Sequence, residues 1–351
     1  MEGTRPATVR FDHATGELVL LDQTLLPGEV RLIRLTEPEE VREAIARLRV
    51  RGAPAIGVAA AYGVYLGALR SRSRDPAGLE SDFRAACSLV ISARPTAVNL
   101  AWAVHRMEGV FDSNRGLARG PALEALRAEA DAILREDVDV CRRIGEHGLE
   151  LLKPGWGLLT HCNAGALATA GDGTATAPIY LGTRRDYRFR VFSDETRPLL
   201  QGARLTAWEL AAAGVDVTVI CDNMSSVVMS KGWVQAVLVG CDRVAANGDA
   251  ANKIGTFGLA VIAKHHGVPV YVHAPLSSID RECRTGKDIP IEERAPEEIA
   301  EMWYARRMTP PGVKAFNPSF DVTDHSLITA FVTEKGVARP PFDRSIPSLF
   351  D

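Results

Sequence analysis

The sequence predicts an α/β protein in which a small N-terminal domain of antiparallel strands and helices precedes a Rossmann-like domain built on a doubly wound parallel sheet. Its length of 351 residues suggests two domains. The first part of the chain shows mainly helical periodicity, whereas after residue 153 short apolar runs alternate with helix-like segments and glycine-containing turns. That alternation is typical of βαβ units and therefore of a parallel sheet.

The N-terminal α+β domain is expected to cover residues 1–119. Apolar alternation and turn residues over 7–34 predict a small antiparallel sheet. Apolar positions at helical spacing then predict a series of helices. They are expected at 37–48, from Pro54 to Arg70, at 79–93, at 99–112 and at 120–150, and the last of them links or opens the second domain.

The second domain, residues 120–351, is expected to hold the parallel sheet and the catalytic site. Its predicted strands are 157–161, 189–193, 215–220, 236–240 and 268–272, and its predicted helices include 200–213 and 254–264. One more helix is expected in the tail after Asp324, followed by a proline-rich end with little regular structure.

Composition argues against several classes of protein. The net charge of -3, with both signs interleaved, gives no electrostatic basis for nucleic-acid binding. Met1–Pro6 lacks the apolar core of a signal peptide, and no apolar run approaches the roughly 18 residues of a membrane span. We therefore expect a soluble, cytoplasmic protein. The 6 cysteines lack C-x-x-C spacing, so most are expected to be small buried residues.

Polar residues follow four successive predicted strands. Cys162, Glu195, Asp222 and Asp242 mark the four strand ends. Ligands of an open parallel sheet bind outside this carboxyl edge. Each residue has an ordinary structural explanation, such as capping or loop formation, but together they predict a functional site.

The segment that begins at Asp242 carries the strongest signal. Asp242 follows the buried run 236–239. Asn252 and Lys253 fall at the expected start of the next helix, where unpaired N–H groups and the helix dipole favour an anion. The alternative is that Asp242 only pairs with Arg243 or caps the loop.

Two further strand ends are open to more than one interpretation. Cys162 is either an inert apolar residue or a reactive thiol. His161 should point to the opposite side of the strand, so no Cys-His-Asp triad is predicted. Glu195 and Arg197 could pair and shape their loop, whereas Gln201 could hold a sugar hydroxyl or a phosphate.

The N-terminal domain offers two arginines. Arg51 stands beside a Gly-Ala-Pro entry into a helix, where it could clamp a phosphate. Arg94 precedes a proline and so lies at a helix end or in a loop. A loop arginine is usually just solvated, and Arg94 gains functional interest only if it converges with Arg51 and Lys253.

Five motifs belong together as a set. They are Arg51-Gly-Ala-Pro-Ala-Ile-Gly57, His161-Cys-Asn-Ala-Gly-Ala-Leu-Ala-Thr169, the run from Glu195 to Thr206, Asp222-Asn-Met224 and the run from Gly240 to Gly255. In this order they resemble the 5-methylthioribose-1-phosphate isomerase family. The wider family also includes ribose-1,5-bisphosphate isomerases, a 5-deoxyribose-1-phosphate isomerase and the regulatory subunits of the translation initiation factor 2B exchange complex.

The resemblance implies an aldose-ketose isomerase that converts 5-methylthioribose 1-phosphate to 5-methylthioribulose 1-phosphate in methionine salvage. It implies a homodimer that works without a metal or a nicotinamide cofactor. It also implies that Asp242 is the general acid/base and Cys162 the second catalytic residue. The residues that it assigns to the substrate, chiefly to its phosphate, are Arg51, Gly52, Ala53, Arg94, Gln201, Asn252 and Lys253.

One segment departs from the family pattern. Residues 171–179 lack the aromatic residue that the family more often has after the first glycine. Pro178 is expected to break or shorten a helix that is otherwise uninterrupted. The departure concerns the 5-substituent of the sugar and leaves the expected reaction unchanged.

The expected reaction constrains the mechanism. A sugar with phosphate on its anomeric oxygen cannot open to a free aldehyde, so an acid must protonate the ring oxygen while hydrogen moves from C2 to C1. A carboxyl in a dry pocket, here Asp242, can supply that proton. Cys162 could relay the C2 proton through an enol phosphate or shape an apolar pocket for a hydride shift, and the sequence leaves both open.

Two alternatives remain beside this expectation. One is an isomerase of 5-deoxyribose 1-phosphate or of ribose 1,5-bisphosphate, the latter needing extra cations for its second phosphate. The other is a non-catalytic regulatory subunit that senses sugar phosphates. A sensor has no need of both Cys162 and Asp242 at strand ends.

Overall fold

The chain divides into two compact units. The computed structural model describes residues 6–95 and 97–351, so the interpretation of Met1–Pro6 falls almost wholly outside the described residues. One unit comprises the residues up to Arg142 together with Gly165–Gly173, and the other comprises Arg143–Ala164 and the rest of the chain from Thr174. The sequence places a domain boundary near residue 120, whereas this division falls at Arg142.

The first unit combines a small sheet with a group of helices, as predicted. Its strands form an antiparallel sheet in the order β1-β2-β3. The elements are β1 (Val9–Asp12), β2 (Glu17–Leu21), β3 (Leu32–Leu35), α1 (Pro38–Ala46), α2 (Ala53–Arg70), α3 (Pro76–Ile91), α4 (Val98–Ser113) and α5 (Arg119–Leu149), whose last turns belong to the second unit.

Helix α2 forms the centre of the first unit. It is buried along most of its length, and its apolar residues are spread around the whole circumference, as expected of a central helix. Glycines let its neighbours approach closely: a Cβ on Gly63 would lie 2.9 Å from Val41 of α1, and one on Gly67 would collide with Ala86 of α3. This packing fixes the N-terminus of α2, where Arg51 and Gly52 lie.

The segment Gly165–Gly173 leaves the second unit and packs within the first. The Thr8 hydroxyl donates a hydrogen bond to the carbonyl of Ala166 (2.6 Å), and the Gln23 amide donates to the carbonyl of Leu167 (2.7 Å). These bonds satisfy backbone groups that would otherwise be buried without partners.

The second unit contains two sheets and the helices around them. In chain order its elements are β4 (Gly157–Thr160), α6 (Ala177–Arg184), β5 (Arg190–Asp194), α7 (Ala207–Ala212), β6 (Asp216–Ile220), α8 (Ser225–Ser230), β7 (Ala236–Val239), β8 (Arg243–Ala245), β9 (Ala250–Lys253), α9 (Thr256–His265), β10 (Val270–His273), β11 (Ile279–Asp280), α10 (Glu297–Ala300), β12 (Phe320–Thr323), β13 (Ala330–Thr333), β14 (Gly336–Ala338) and α11 (Phe342–Ser345).

The large sheet of the second unit is doubly wound, as predicted. Among the described residues seven strands pair in the order β14-β13-β10-β7-β4-β5-β6, and β14 alone runs antiparallel to its neighbour. The chain proceeds from β4 outward to β6 and then returns to the other side of β4 with β7. The strand order therefore reverses between β4 and β7, and such a switch point is where open α/β sheets bind their ligands.

A second, smaller sheet was not predicted. Its order is β11-β8-β9-β12, in which β9 runs antiparallel to β8 and to β12. The tail after Asp324 contains strands β13 and β14, which were not predicted, and its short helix α11 lies within the proline-rich end instead of before it.

Pro178 does not interrupt a helix but lies at the start of a short one, α6, of 8 residues. Helix α6 begins at Ala177, and Pro178 lies in its first turn, where the missing N–H would have had no helical partner. Among the described residues no helix combines the length and the apolar character needed to cross a bilayer.

Candidate active site

The four strand ends that the sequence singles out lie side by side. Strands β7, β4, β5 and β6 are consecutive neighbours in the sheet and run parallel. Their carboxyl ends therefore share one edge, and Asp242, Cys162, Glu195 and Asp222 lie in the loops that leave it. The candidate site of the second unit is built from the loops that leave this edge.

Cys162 and Asp242 follow the two strands that flank the switch point. Strands β4 and β7 are in parallel register, with Thr160 opposite Leu238. Beyond them, Gly240 lies so near Ala164 that an added Cβ would be 2.5 Å from the Ala164 Cβ. The loop that carries Cys162 (the thiol loop) and the loop that carries Asp242 (the carboxyl loop) thus approach each other closely, because Gly240 has no side chain.

The backbone of Cys162 is held in an unusual conformation. Its φ is 65°, in the left-handed region that side chains other than glycine seldom adopt. The N–H of Cys162 donates to the Thr196 hydroxyl (2.8 Å), and the Thr206 hydroxyl donates to the carbonyl of Cys162 (2.6 Å). Such a conformation costs roughly 1–3 kcal/mol and persists only where its surroundings enforce it.

The loop after β5 is held by a residue that follows the neighbouring strand β6. The carboxylate of Asp222 accepts the N–H groups of Thr196 (2.7 Å) and Arg197 (2.8 Å). Arg197 turns away from Glu195, because its guanidinium donates to the carbonyl of Ile299 (3.0 Å). The end of β6 thus shapes the loop that carries Gln201.

Gln201, in this loop, has a buried side-chain oxygen that can accept a hydrogen bond from a ligand. It is 5% exposed, and its Oε1 has no hydrogen-bond partner within residues 6–95 and 97–351. It precedes a π-helical turn, Gly202–Thr206, before α7 begins, and such turns are frequent at functional sites. A buried oxygen without a partner is costly unless a ligand or water satisfies it.

Asn252 and Lys253 do not begin a helix. They end strand β9, whose Ala251 carbonyl accepts the N–H of Asp242 (2.9 Å), so the hairpin ties both residues to the carboxyl loop. The Asn252 amide donates to the Thr256 hydroxyl (3.0 Å), and the Lys253 Nζ lies 4.4 Å from the ring centroid of Phe320.

The expected anion site at the start of α9 is already filled by a side chain. The carboxylate of Asp321 accepts the N–H groups of Gly255 (2.7 Å) and Phe257 (3.0 Å). A protein carboxylate therefore satisfies the N–H groups that were expected to face a ligand. The positive charge offered by this segment is that of Lys253 itself.

His161 is the residue at this edge that sequence reasoning set aside. Its Nδ1 lies 3.0 Å from Asp194 Oδ2, and its Nε2 lies 2.9 Å from the carbonyl of Ile254. His161, Asp194 and Asp222 place potential metal-ligand atoms within 4.8 Å of one another. Both ring nitrogens and both Asp222 oxygens already make protein hydrogen bonds, so the arrangement fits a hydrogen-bonded network better than a metal centre.

The first unit holds the remaining predicted residues at one end of two helices. Ala53 begins α2, and Gly52 has a φ of 94° and lies against Ala168, where a Cβ would be 2.5 Å from the Ala168 Cα. Gly57 brings the start of α2 against the start of α4, since its Cβ would lie 3.1 Å from the Asn99 carbonyl oxygen. The loops that carry Arg51 and Arg94 precede these two helix starts.

Comparison with known proteins identifies the family. The sequence profile of the Initiation factor 2 subunit family matches residues 49–340. The chain belongs to this family.

Individual members of the family carry more specific names. The methylthioribose-1-phosphate isomerase of Symbiobacterium thermophilum is 63% identical over 342 residues, which are 97% of this chain and 95% of the relative. The 5-deoxyribose 1-phosphate isomerase of Petrotoga mobilis is 53% identical over 98% of this chain and 99% of its own length. The crystal structure of 5-methylthioribose 1-phosphate isomerase from Pyrococcus horikoshii superposes with a TM-score of 0.94 at 42% identity, covering 99% of this chain and 97% of that chain.

Proposed function

We propose that this member of the Initiation factor 2 subunit family is an aldose-ketose isomerase that converts 5-methylthioribose 1-phosphate to 5-methylthioribulose 1-phosphate. The observation that carries the proposal is the close approach of the Cys162 and Asp242 loops at the switch point between β4 and β7. The 63% identity to a methylthioribose-1-phosphate isomerase supports the choice of substrate.

In this proposal Asp242 is the general acid/base. It donates a proton to the ring oxygen as the bond between that oxygen and C1 breaks, and the resulting carboxylate takes the proton of the C2 hydroxyl when C2 becomes the carbonyl of the open-chain product. Positioned acid/base groups contribute about 100- to 10,000-fold to a rate. Asp242 is half-buried beside the sheet edge, which is where such a group has to stand.

Cys162 is the second catalytic residue of the proposal. It either takes the proton from C2 and returns one to C1 through an enol phosphate, or it lines an apolar pocket in which a hydride passes from C2 to C1. Turnover in deuterated water separates these routes. Deuterium at C1 of the product supports the proton relay, and its absence supports the hydride shift.

The remaining candidate residues bind the substrate. Gln201 offers a buried oxygen without a partner among the described residues, which suits a sugar hydroxyl. Asn252 and Lys253 are tied to the Asp242 loop through β9, and Lys253 supplies a positive charge. In the first unit Arg51, Gly52, Ala53 and Arg94 suit a phosphate, because the first turn of a helix offers N–H groups without helical partners and Arg51 directly precedes α2.

Product formation from three sugar phosphates, tested side by side without added metal, tests the proposal. We expect turnover of 5-methylthioribose 1-phosphate. Because a relative that is 53% identical is named a 5-deoxyribose 1-phosphate isomerase, 5-deoxyribose 1-phosphate is the second candidate substrate. Ribose 1,5-bisphosphate serves as the third, and turnover of that compound alone, or of none, would contradict the proposal.

The proposal extends to the setting of the enzyme. We propose a homodimer that acts in the cytoplasm in methionine salvage, without a metal or organic cofactor and without binding nucleic acid. Exposed apolar side chains on β6, on α8 and in the turn between them provide surface that a dimer could bury: Val219 is 46%, Met224 46% and Val227 50% exposed. Light scattering of the purified protein tests the dimer.

A further inference from the structure

His161 contacts the segments that carry the proposed catalytic and binding residues, although it has no place in the proposed chemistry. It directly precedes Cys162, and its side chain is 1% exposed. Nδ1 lies 3.0 Å from Asp194 Oδ2, at the start of the loop that leads to Gln201. Nε2 lies 2.9 Å from the carbonyl of Ile254, the residue after Lys253.

The contacts of the His161 ring define its charge. One ring nitrogen faces a carboxylate and the other a carbonyl, and neither acceptor can donate while the carboxyl is ionised, so each nitrogen carries a proton. Burial alone would lower the pKa of His161, but the hydrogen bond and the charge of Asp194 outweigh it and raise that pKa. Burial raises the pKa of Asp194 to about 6, whereas the hydrogen bond and the charge of His161 act in the opposite direction and favour the ionised carboxylate.

The turn after Lys253 is shaped around this ring. Gly255 has a φ of 105°, and a Cβ on it would lie 2.8 Å from the His161 Cε1 and 3.0 Å from Nε2. The turn is held on its other side by Asp321, which accepts the N–H of Gly255 (2.7 Å). The ring therefore occupies space that any residue larger than glycine would need.

We propose that the His161–Asp194 pair is a positioning device, in which a charged ring aligns the left-handed Cys162 with the Lys253 turn and with the loop of Gln201. A neutral side chain would not bind both acceptors as strongly, because hydrogen bonds from or to a charged group are about twice as strong as neutral ones. The expected loss of activity rests on the proposed function, whereas the charge of the His161 ring and the alignment of the three segments do not.

The chain contains a matched control. His273 is also 1% exposed and also ends a strand of the same sheet, but its ring lies beside Gly148 of α5, and among the described residues no carboxylate pairs with it. A histidine that serves only the packing of the sheet should behave like His273. The two residues can therefore be replaced in the same way.

The first experiment compares His161→Gln, Asp194→Asn and His273→Gln in the full-length protein. We expect the first two variants to lower kcat by about 10- to 100-fold, because a displacement of about 1 Å can cost 100-fold. The alkylation of Cys162 by iodoacetamide is followed by peptide mass spectrometry over a pH series. Its rate, and the apparent midpoint of its pH dependence, should change in both variants. His273→Gln should alter neither quantity, even if its melting temperature falls.

Two outcomes would overturn the inference. One is that His161→Gln and Asp194→Asn melt earlier but keep the kcat per folded molecule and the alkylation profile of Cys162. The other comes from nitrogen-15 NMR of histidine-labelled wild-type protein, which needs no variant to fold. We expect both His161 ring nitrogens to be protonated at pH 7, and a neutral ring would contradict the proposal.

Failure of the proposed function has a different signature. If the wild-type protein turned over none of the three sugar phosphates, the reaction would be wrongly assigned. The alkylation profile and the NMR measurement would still decide whether His161 aligns Cys162.

Discussion

The carboxyl ends of β4 and β10 both carry a buried histidine, and the two ends differ in almost everything else. At β4, His161 lies between a carboxylate and a backbone carbonyl, and its pKa is raised. At β10, burial lowers the pKa of His273 to about 4, so its ring is neutral at physiological pH. Burial favours the neutral ring in both places, but at His161 the hydrogen bond and charge of Asp194, followed by the charge of Asp222, reverse the outcome.

The position of each strand in the sheet accounts for the difference. Strand β10 lies between β7 and β13, where the winding continues in one direction, whereas the winding reverses beside β4. At a reversal the loops of adjacent strands leave on opposite sides and open a crevice. The function of a strand end in this sheet therefore depends on the loops that fold over it. A buried polar residue alone does not identify a functional site.

Of the changes at the carboxyl ends of β4 and β7, replacing Asp242 by asparagine should lower the activity most. We expect kcat to fall by at least about 100-fold, because the amide cannot exchange the proton with the ring oxygen. Binding of the sugar phosphate, measured by calorimetry, should survive. Asp216→Asn, an exposed change on β6, is the control, and near-normal turnover of Asp242→Asn would remove this carboxyl from the mechanism.

Replacing Cys162 by serine should lower kcat by about 100-fold, since the hydroxyl is a far weaker acid than the thiol and matches its size. Cys221 follows the neighbouring strand β6 but is exposed, so Cys221→Ser should leave kcat unchanged. Steady-state kinetics of the two variants measures the contrast. Equal losses in both would mean that the thiol of Cys162 has no special role.

Replacing Lys253 by methionine should act on binding more than on turnover. We expect KM to rise by about tenfold or more, because a charge-assisted hydrogen bond contributes roughly 1.5–3 kcal/mol. Lys264→Met, an exposed change in the last turn of α9, is the matched control. An unchanged KM in Lys253→Met would place the phosphate elsewhere.

Replacing His273 by glutamine should leave activity unchanged and alter only the pH dependence of stability. The folded protein keeps this ring neutral to about pH 4, whereas the unfolded chain protonates it near the ordinary pKa of 6.5. Stability should therefore be lost as the pH falls through this window, by roughly 3 kcal/mol at most. The free energy of unfolding, measured with urea at pH 7 and at pH 4.5, should differ less between the two pH values for the variant than for the wild type. An identical difference in both proteins would refute this assignment.

Sequence patterns captured the elements that have a strong periodicity. Runs of apolar residues predict the buried strands and the central helix α2. The functional importance of the polar residues after β4 and β7 is predicted by the rule that open sheets bind ligands at the carboxyl ends of their strands. The hairpin of β8 and β9 gives no such signal. Its Ala250-Ala251-Asn252-Lys253 strand lacks branched or aromatic residues and is completed by β12, far along the chain.

His161 escaped prediction for a different reason. Alternation along a strand predicts that its side chain points away from that of Cys162, but it says nothing about which residues lie near the sheet edge. Asp194 and Ile254 come from other parts of the chain and meet His161 only after folding. Pairwise contacts of this kind have no local sequence signature.

The path of Gly165–Gly173 has a practical consequence for cutting the protein into pieces. A fragment that starts at Arg143 would include the thiol of Cys162 and the whole large sheet. It would nevertheless lack Thr8 and Gln23, which bind the backbone a few residues further along. Limited proteolysis or domain cloning within α5 should therefore yield a fragment with a frayed loop immediately after the residue whose geometry matters most.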